Sequence, residues 1–303
     1  SLQPFRHKMN PGVLVALAAY FFFCICDAFI KAIGPETSVF QTLFFVTLFS
    51  FIPVLAFTLR HDPLSAMFKM NQPWLVMGRA ATGILAGMFG FYTFTHLPFA
   101  EAYALIFLAP VFVTVLSIFF LGEQVRAWRW TAVAVGLFGV WVVVRPGFRE
   151  IQVGHLTAIL AAMAGATSFI FLRKLGQSER RITLIGVLLA AATVVNGLIM
   201  LPVFKTPDMH EWLMYILAGT FAGLGHVTLL AAARTTPANL IAPANYSQII
   251  WAVFIGMIFF KETPDTWTVT GIVLVSLSGV MTLIRDEQRS GWLSRTHWVK
   301  KFP

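Results

Sequence analysis

Ionisable and amide side chains are costly inside an apolar run, so the few that occur there are the first candidates for chemistry. His226 falls just past the middle of one such run, and Asn245, Tyr246, Ser247 and Gln248 follow the helix-breaking Pro243 in the next. Asn245 and Gln248 are three apart and share a helix face, and Asn245 is expected at about the depth of His226. A neutral imidazole and two amides can hydrogen-bond both the ammonium and the carboxylate of an amino acid. The alternative is a histidine bonded to neighbouring backbone. Tyr92 and Tyr103 are binding candidates from the first half of the chain, with packing as the competing role. Asp27 either pairs with Lys31, four residues on in the favourable acid-first order, or acts as a gating or coupling group. Glu101 is expected one turn inside the outer end of its run, where water reaches it, with the same two roles open to it. Pro110 and Pro243 mark places where helices can bend. Glu123 and Glu262 end apolar runs, which suits capping or gating better than substrate contact. HExxH and GxSxG are absent, and His226 has no serine or carboxylate partner in sequence. The expectation is no enzyme, no metal and no cofactor.

These residues sit in a chain that is 58% hydrophobic and 12% charged, with a mean hydropathy of +0.77. That is far outside the soluble globular range. Ten runs are long enough to cross a bilayer, at 12–32, 37–59, 74–95, 99–121, 128–145, 155–173, 182–203, 212–233, 238–260 and 267–285. The connections are short, which leaves no room for a soluble catalytic or nucleotide-binding domain. The net charge of +9 comes from short gaps between the runs and not from a basic tract, so no nucleic-acid partner is expected. Lipid and a small molecule are the expected partners. Cys24 and Cys26 are two apart on a helix, point to different faces and cannot pair. The first run lacks a small-residue cleavage site after it and reads as a retained span.

With the N-terminus inside, seventeen of the 22 Lys and Arg fall in inner segments, Arg79 among them, and five in outer ones. The positive-inside rule therefore places both termini in the cytoplasm, with residues 286–303 as a cytoplasmic tail.

The chain also repeats itself. Pro98, Phe120, Glu123, Trp128 and Thr131 fall on Pro237, Phe259, Glu262, Trp267 and Thr270 at a constant offset of 139. Near the starts of the halves, Gly12, Leu14, Ala16 and Lys31 fall on Gly154, Leu156, Ala158 and Arg173 at an offset of 142. Both halves carry a GxxxG, Gly83 with Gly87 and Gly219 with Gly223, a pattern that lets helix backbones approach closely. The expected architecture is an all-α membrane protein of ten transmembrane helices as two inverted five-helix repeats, 12–145 and 154–285. Inversion follows because five is odd, and it is typical of secondary transporters.

Proline-led fourth and ninth runs, the terminal LGE at Leu121 to Glu123 and FKE at Phe260 to Glu262, and the tryptophan turn after each resemble the EamA-type branch of the drug/metabolite transporter superfamily. The resemblance covers 12–285. It implies a ten-helix basket whose cavity is lined by the first, third, fourth, sixth, eighth and ninth spans, and a metabolite exporter of a bacterial inner membrane, amino acids first. The 30 Phe and 9 Trp are similar to the aromatic amino-acid exporter subgroup. The alternative is a sugar-phosphate or nucleotide-sugar exchanger, which needs buried Lys or Arg, or an intramembrane enzyme. No ATP motif is present, so a gradient is the expected driver, and the scarcity of buried carboxylates points to facilitated diffusion.

Overall fold

In a computed structural model, residues 11–60, 62–121, 127–145, 150–175, 178–235, 244–245 and 247–278 are described, and every regular element among them is helical. The first half holds α1 (Pro11–Ile33), α2 (Val39–Thr58), α3 (Pro73–His96), α4 (Phe99–Ile106), α5 (Ala109–Leu121) and α6 (Ala127–Val144). The second holds α7 (Val153–Leu175), α8 (Arg181–Met200), α9 (Met209–Thr235), α10 (Ser247–Phe259) and α11 (Thr266–Ser278). Seven helices are long and apolar enough to span a membrane, counting α4 and α5 together, and shorter apolar helices lie in α6, α10 and α11. The chain is a multi-pass membrane protein.

The run expected to be one helix over 99–121 is two. Pro110 lies in the first turn of α5 and has no N–H to return to Ile106, so the chain breaks at Phe107 and Leu108. Pro110 thus bends its span, whereas Pro243 and Tyr246 lie outside the described residues.

The main interfaces connect the two halves. α1 packs most extensively on α9, and α3 on α7; α2 lies on both α8 and α9, α3 also touches α8, α4 packs on α7, and α10 packs on α1. The largest core cluster is built from both halves, with Tyr103, Leu105 and Val143 packed among Ala158, Ile249 and Val275. Large apolar side chains such as Trp74, Phe119 and Phe259 point outward, where lipid, not water, is their solvent.

Hydrophobic burial does not drive helices together in lipid, so close packing and hydrogen bonds must. A Cβ on Gly219 would meet the carbonyl oxygen of Val46 at 2.7 Å, and one on Gly223 would strike Pro53 and the carbonyl of Ser50. Between them Ser50 Oγ bonds the carbonyl of Gly219 at 3.1 Å. This GxxxG is therefore a backbone-to-backbone seam with α2. Its counterpart differs, because Gly83 makes room for the side chain of Leu188 and Gly87 only borders Leu43. α6 and α11 meet in the same close manner, Gly271 facing the carbonyl of Gly139.

Gly223→Ala should lower stability by roughly 1–3 kcal/mol, because backbone and a proline ring must move. Gly165→Ala, where a Cβ meets nothing within 4 Å, should leave it unchanged or slightly raised. Melting of both variants in detergent, followed by tryptophan fluorescence, checks the difference.

Candidate functional site

α1 brings the site together. Its Asp27 accepts a 2.5 Å hydrogen bond through Oδ2 from the phenol of Tyr103 on α4. Tyr103 Oη in turn accepts from Gln248 Nε2 of α10 at 3.5 Å, and Cys24 Sγ lies 3.9 Å from the carbonyl of Gln248. The result is a directed chain from amide to phenol to carboxylate across three helices. Phenol to carboxylate is the strong link, being charge-assisted, and the amide contact is at the limit of a hydrogen bond. Asp27 Oδ1 has no protein partner among the described residues, and the residue is half-buried rather than sealed.

Asp27 does not pair with Lys31. One turn further along α1, Lys31 Nζ is 2.9 Å from Glu262 Oε1 and donates to the carbonyl of Leu97 at 2.8 Å. The other oxygen of Glu262 accepts from the N–H of Phe99 at 2.7 Å. That N–H opens α4, has no partner within its own helix and lies at the positive end of the helix dipole. Glu262 is thus the cap the sequence suggested, but of a helix in the other half of the chain. The local pair loses because one carboxylate satisfies both a lysine and an orphan helix terminus.

Glu101 also differs from expectation. It is only 3% exposed, and its Oε1 accepts from Nε2 of His155 at 2.8 Å. His155 Nδ1 lies 3.0 Å from the N–H and 3.3 Å from the carbonyl of Gln152, which holds the ring with Nε2 turned to the carboxylate. Beside this pair, Arg145 bonds Asp265 at 2.6 Å. Partial burial raises the Asp265 pKa, but its bonds from Thr268 and the Arg145 charge bring it below the usual value. Glu101, Glu262, Asp265 and Thr268 line a recess of about 250 Å³ at this end. All three ion pairs among the described residues join one half of the chain to the other at this same end.

The other candidates are spread out. His226 stands edge-on to Phe23 of α1, with ring centroids 5.1 Å apart. α1 packs on both α9 and α10, so His226 meets α1 at Phe23 and Gln248 meets it at the next residue, Cys24. Asn245 is half-buried one turn before Gln248. Tyr92 stacks flat on His96, with centroids 3.8 Å apart near the end of α3. Glu123 lies outside the described residues.

Sequence reasoning overlooked two residues. His155 sits in the first turn of α7 as Glu101 does in that of α4, and two ionisable groups entering spans at the same expected level was the available signal. Arg79, counted above with an inner connection, lies in the second turn of α3, and its Nη1 donates to the carbonyl of Leu184 on α8. The basic residues therefore do not all sit at span ends.

Removing Glu262 should expose how much its two bonds hold. Glu262→Ala leaves Lys31 and the Phe99 N–H unpaired in a partly buried place and should cost about 2–4 kcal/mol. The double variant Lys31→Met, Glu262→Met should lose less than the two single losses combined. Thermal melting of wild type, Lys31→Met, Glu262→Met and the double variant reads the coupling.

The sequence profile of the EamA-like transporter family matches residues 10–145 and 152–284. The chain is 28% identical over 270 residues to a pseudopaline exporter of Pseudomonas aeruginosa, covering 88% of this chain and 94% of that one. It is 27% identical over 276 residues to an S-adenosylmethionine uptake transporter of Rickettsia felis, covering 89% of this chain and 90% of that one. A solved crystal structure superposes with a TM-score of 0.63 at 16% identity, over 91% of this chain and 99% of its own, and shares its fold.

Proposed function

Because the chain belongs to the EamA-like transporter family, we propose that it is a secondary transporter of small amine-bearing metabolites, amino acids first, working by alternating access in a bacterial inner membrane. The observation that carries this reading is Asp27. A carboxylate in a spanning helix is expensive without a cation, and the nearby lysine is committed to Glu262. The cargo's ammonium is the missing cation. It binds Asp27 Oδ1, while Tyr103 fixes Oδ2 and Gln248 polarises Tyr103. His226 and Asn245 stand on neighbouring helices for the rest of the cargo, and Tyr92 and Tyr246 complete the binding set. The amine neutralises the site, so no coupled proton is required and flux follows the cargo's own gradient.

Two inverted five-helix repeats, 12–145 and 154–285, belong to the same reading. In support, exchanging the halves turns the α1–α9 contact into α7–α3, α2–α9 into α8–α3, and α5–α7 into α10–α1, and each of these contacts exists. The two stretches matched by the family profile also coincide with the two repeats. Such a pair can rock about a fixed centre, with Pro110 and Pro243 as bends, and Glu101 and the Lys31–Glu262 pair as groups that part when the outer end opens. One relative is named for export and another for uptake. Their similarity supports a carrier whose direction is set by gradients. A second reading, exchange of a phosphorylated sugar or nucleotide sugar, is favoured by the intramembrane Arg79.

In proteoliposome counterflow with a panel of labelled amino acids, Asp27→Asn should reduce the transported member's rate about tenfold or more, since a charge-assisted bond is lost. Tyr103→Phe should reduce it less. Normal counterflow by Asp27→Asn, with the protein folded, would sink the amine site. Separately, a periplasm-active reporter fused to either terminus should stay silent and a cytoplasm-active one should work; the reverse pattern at either end refutes two cytoplasmic termini.

A further inference from the structure

Arg79 is the group the amine site leaves without a role. It lies in a spanning helix, one of its N–H groups serves Leu184, and its buried Nε has no acceptor. No carboxylate pairs with it among the described residues. A guanidinium carries five N–H donors, and a half-buried charge with so few protein acceptors is costly unless something anionic visits it. Simple snorkelling does not account for the geometry. A snorkelling arginine holds its whole head in water, whereas this one has a dry Nε and turns Nη1 onto the first turn of α8. A neighbouring helix holds the backbone there: Ser168 of α7 donates to the Arg79 carbonyl at 3.1 Å.

Its level in the bundle matters as much. Lys31 bonds the carbonyl of Leu97, which fixes α1 and the end of α3 at one height. Arg79 is 18 residues before Leu97 and Asp27 four before Lys31. At 1.5 Å per residue the two charges are about 20 Å apart along the helices, Arg79 towards the opposite end from the ion-paired one. A small metabolite meets them in succession and not at once.

We propose that Arg79 is an entry site for the anionic group of the cargo, a carboxylate or a phosphate, at the end of the bundle away from the three ion pairs. The proposal rests on the reading of this chain as a metabolite transporter and specifies a second, oppositely charged station in it. Cargo carrying both charges is handed from guanidinium to carboxylate, and cargo with a phosphate is held at the guanidinium end.

The test uses the full chain purified in detergent, with thermal stabilisation titrated by L-glutamate, by inorganic phosphate and by putrescine, a diamine with no anionic group. Arg79→Gln keeps an N–H donor for the Leu184 carbonyl but removes the charge. Wild type should be stabilised by at least one of the two anions at millimolar concentration. In Arg79→Gln the midpoint for that anion should rise about tenfold or more, with the putrescine response unchanged. Response to glutamate alone identifies carboxylate, and response to phosphate alone identifies phosphate. If Arg79→Gln does not fold, Arg79→Lys takes its place, and its single ammonium should weaken anion binding several-fold where the planar fork is used. The proposal is overturned if neither anion stabilises the wild type, or if the folded variant titrates like it. A putrescine response missing from wild type, with the anion response intact, counts against the Asp27 site and leaves Arg79 standing.

Discussion

One carboxylate, Glu262, sets the arrangement at the ion-paired end of this protein. In lipid each charge and each unpaired backbone group must find its partner within the protein. Glu262 answers two such demands at once, the ammonium of Lys31 and the first N–H of α4. It thereby ties α1, the α3–α4 turn and the end of α10 into one joint. Two further charge pairs, Glu101 with His155 and Arg145 with Asp265, close the same end.

Asp27 follows from that joint. With Lys31 drawn one turn away, Asp27 turns to a phenol, which can share its charge but cannot cancel it. The interior is left with an acidic group on α1 and a basic group on α3, each served by the protein with fewer bonds than it can make. Both ends of the bundle are braced by acidic caps on helices of the other half, but with a difference. At the end opposite Glu262, Glu179 accepts from the backbone N–H groups of Asn71 and Gln72, at 2.7 and 2.6 Å, just ahead of α3. No lysine or arginine shares Glu179 among the described residues. A brace made of backbone bonds stays with its helix, whereas an ion pair between mobile side chains can part and re-form.

Much of the helical framework was legible in the sequence because a bilayer imposes a length and a composition on anything that crosses it. The runs at 12–32, 37–59 and 74–95 are α1, α2 and α3 to within a few residues. Pro110 marked the break between α4 and α5 for a reason local to the chain, its missing N–H. Glu262 was legible as a cap from its place at a helix end, although not which helix it caps. Of the candidate site, Asp27, Tyr103 and Gln248 were each picked out as polar residues in apolar runs, but their association was not foreseen. The set expected to meet was His226 with Asn245 and Gln248, on the ground that consecutive helices are neighbours.

What the sequence determined by itself is therefore the one-dimensional part: which segments are long and apolar, where they start and stop, and which polar groups they carry across. These depend on properties of a residue and its near neighbours, and solvent by lipid makes them strict. What only the tertiary structure decided is the choice of partner. Lys31 had Asp27 four residues away and took Glu262, 231 positions on. Glu101, expected to be open to water, is almost wholly buried against His155. α1 stands against both α9 and α10, so the imidazole and the amide meet it at successive residues. Partner choice depends on which helix ends come together and on the unpaired N–H and carbonyl groups they present, and that competition is settled in three dimensions.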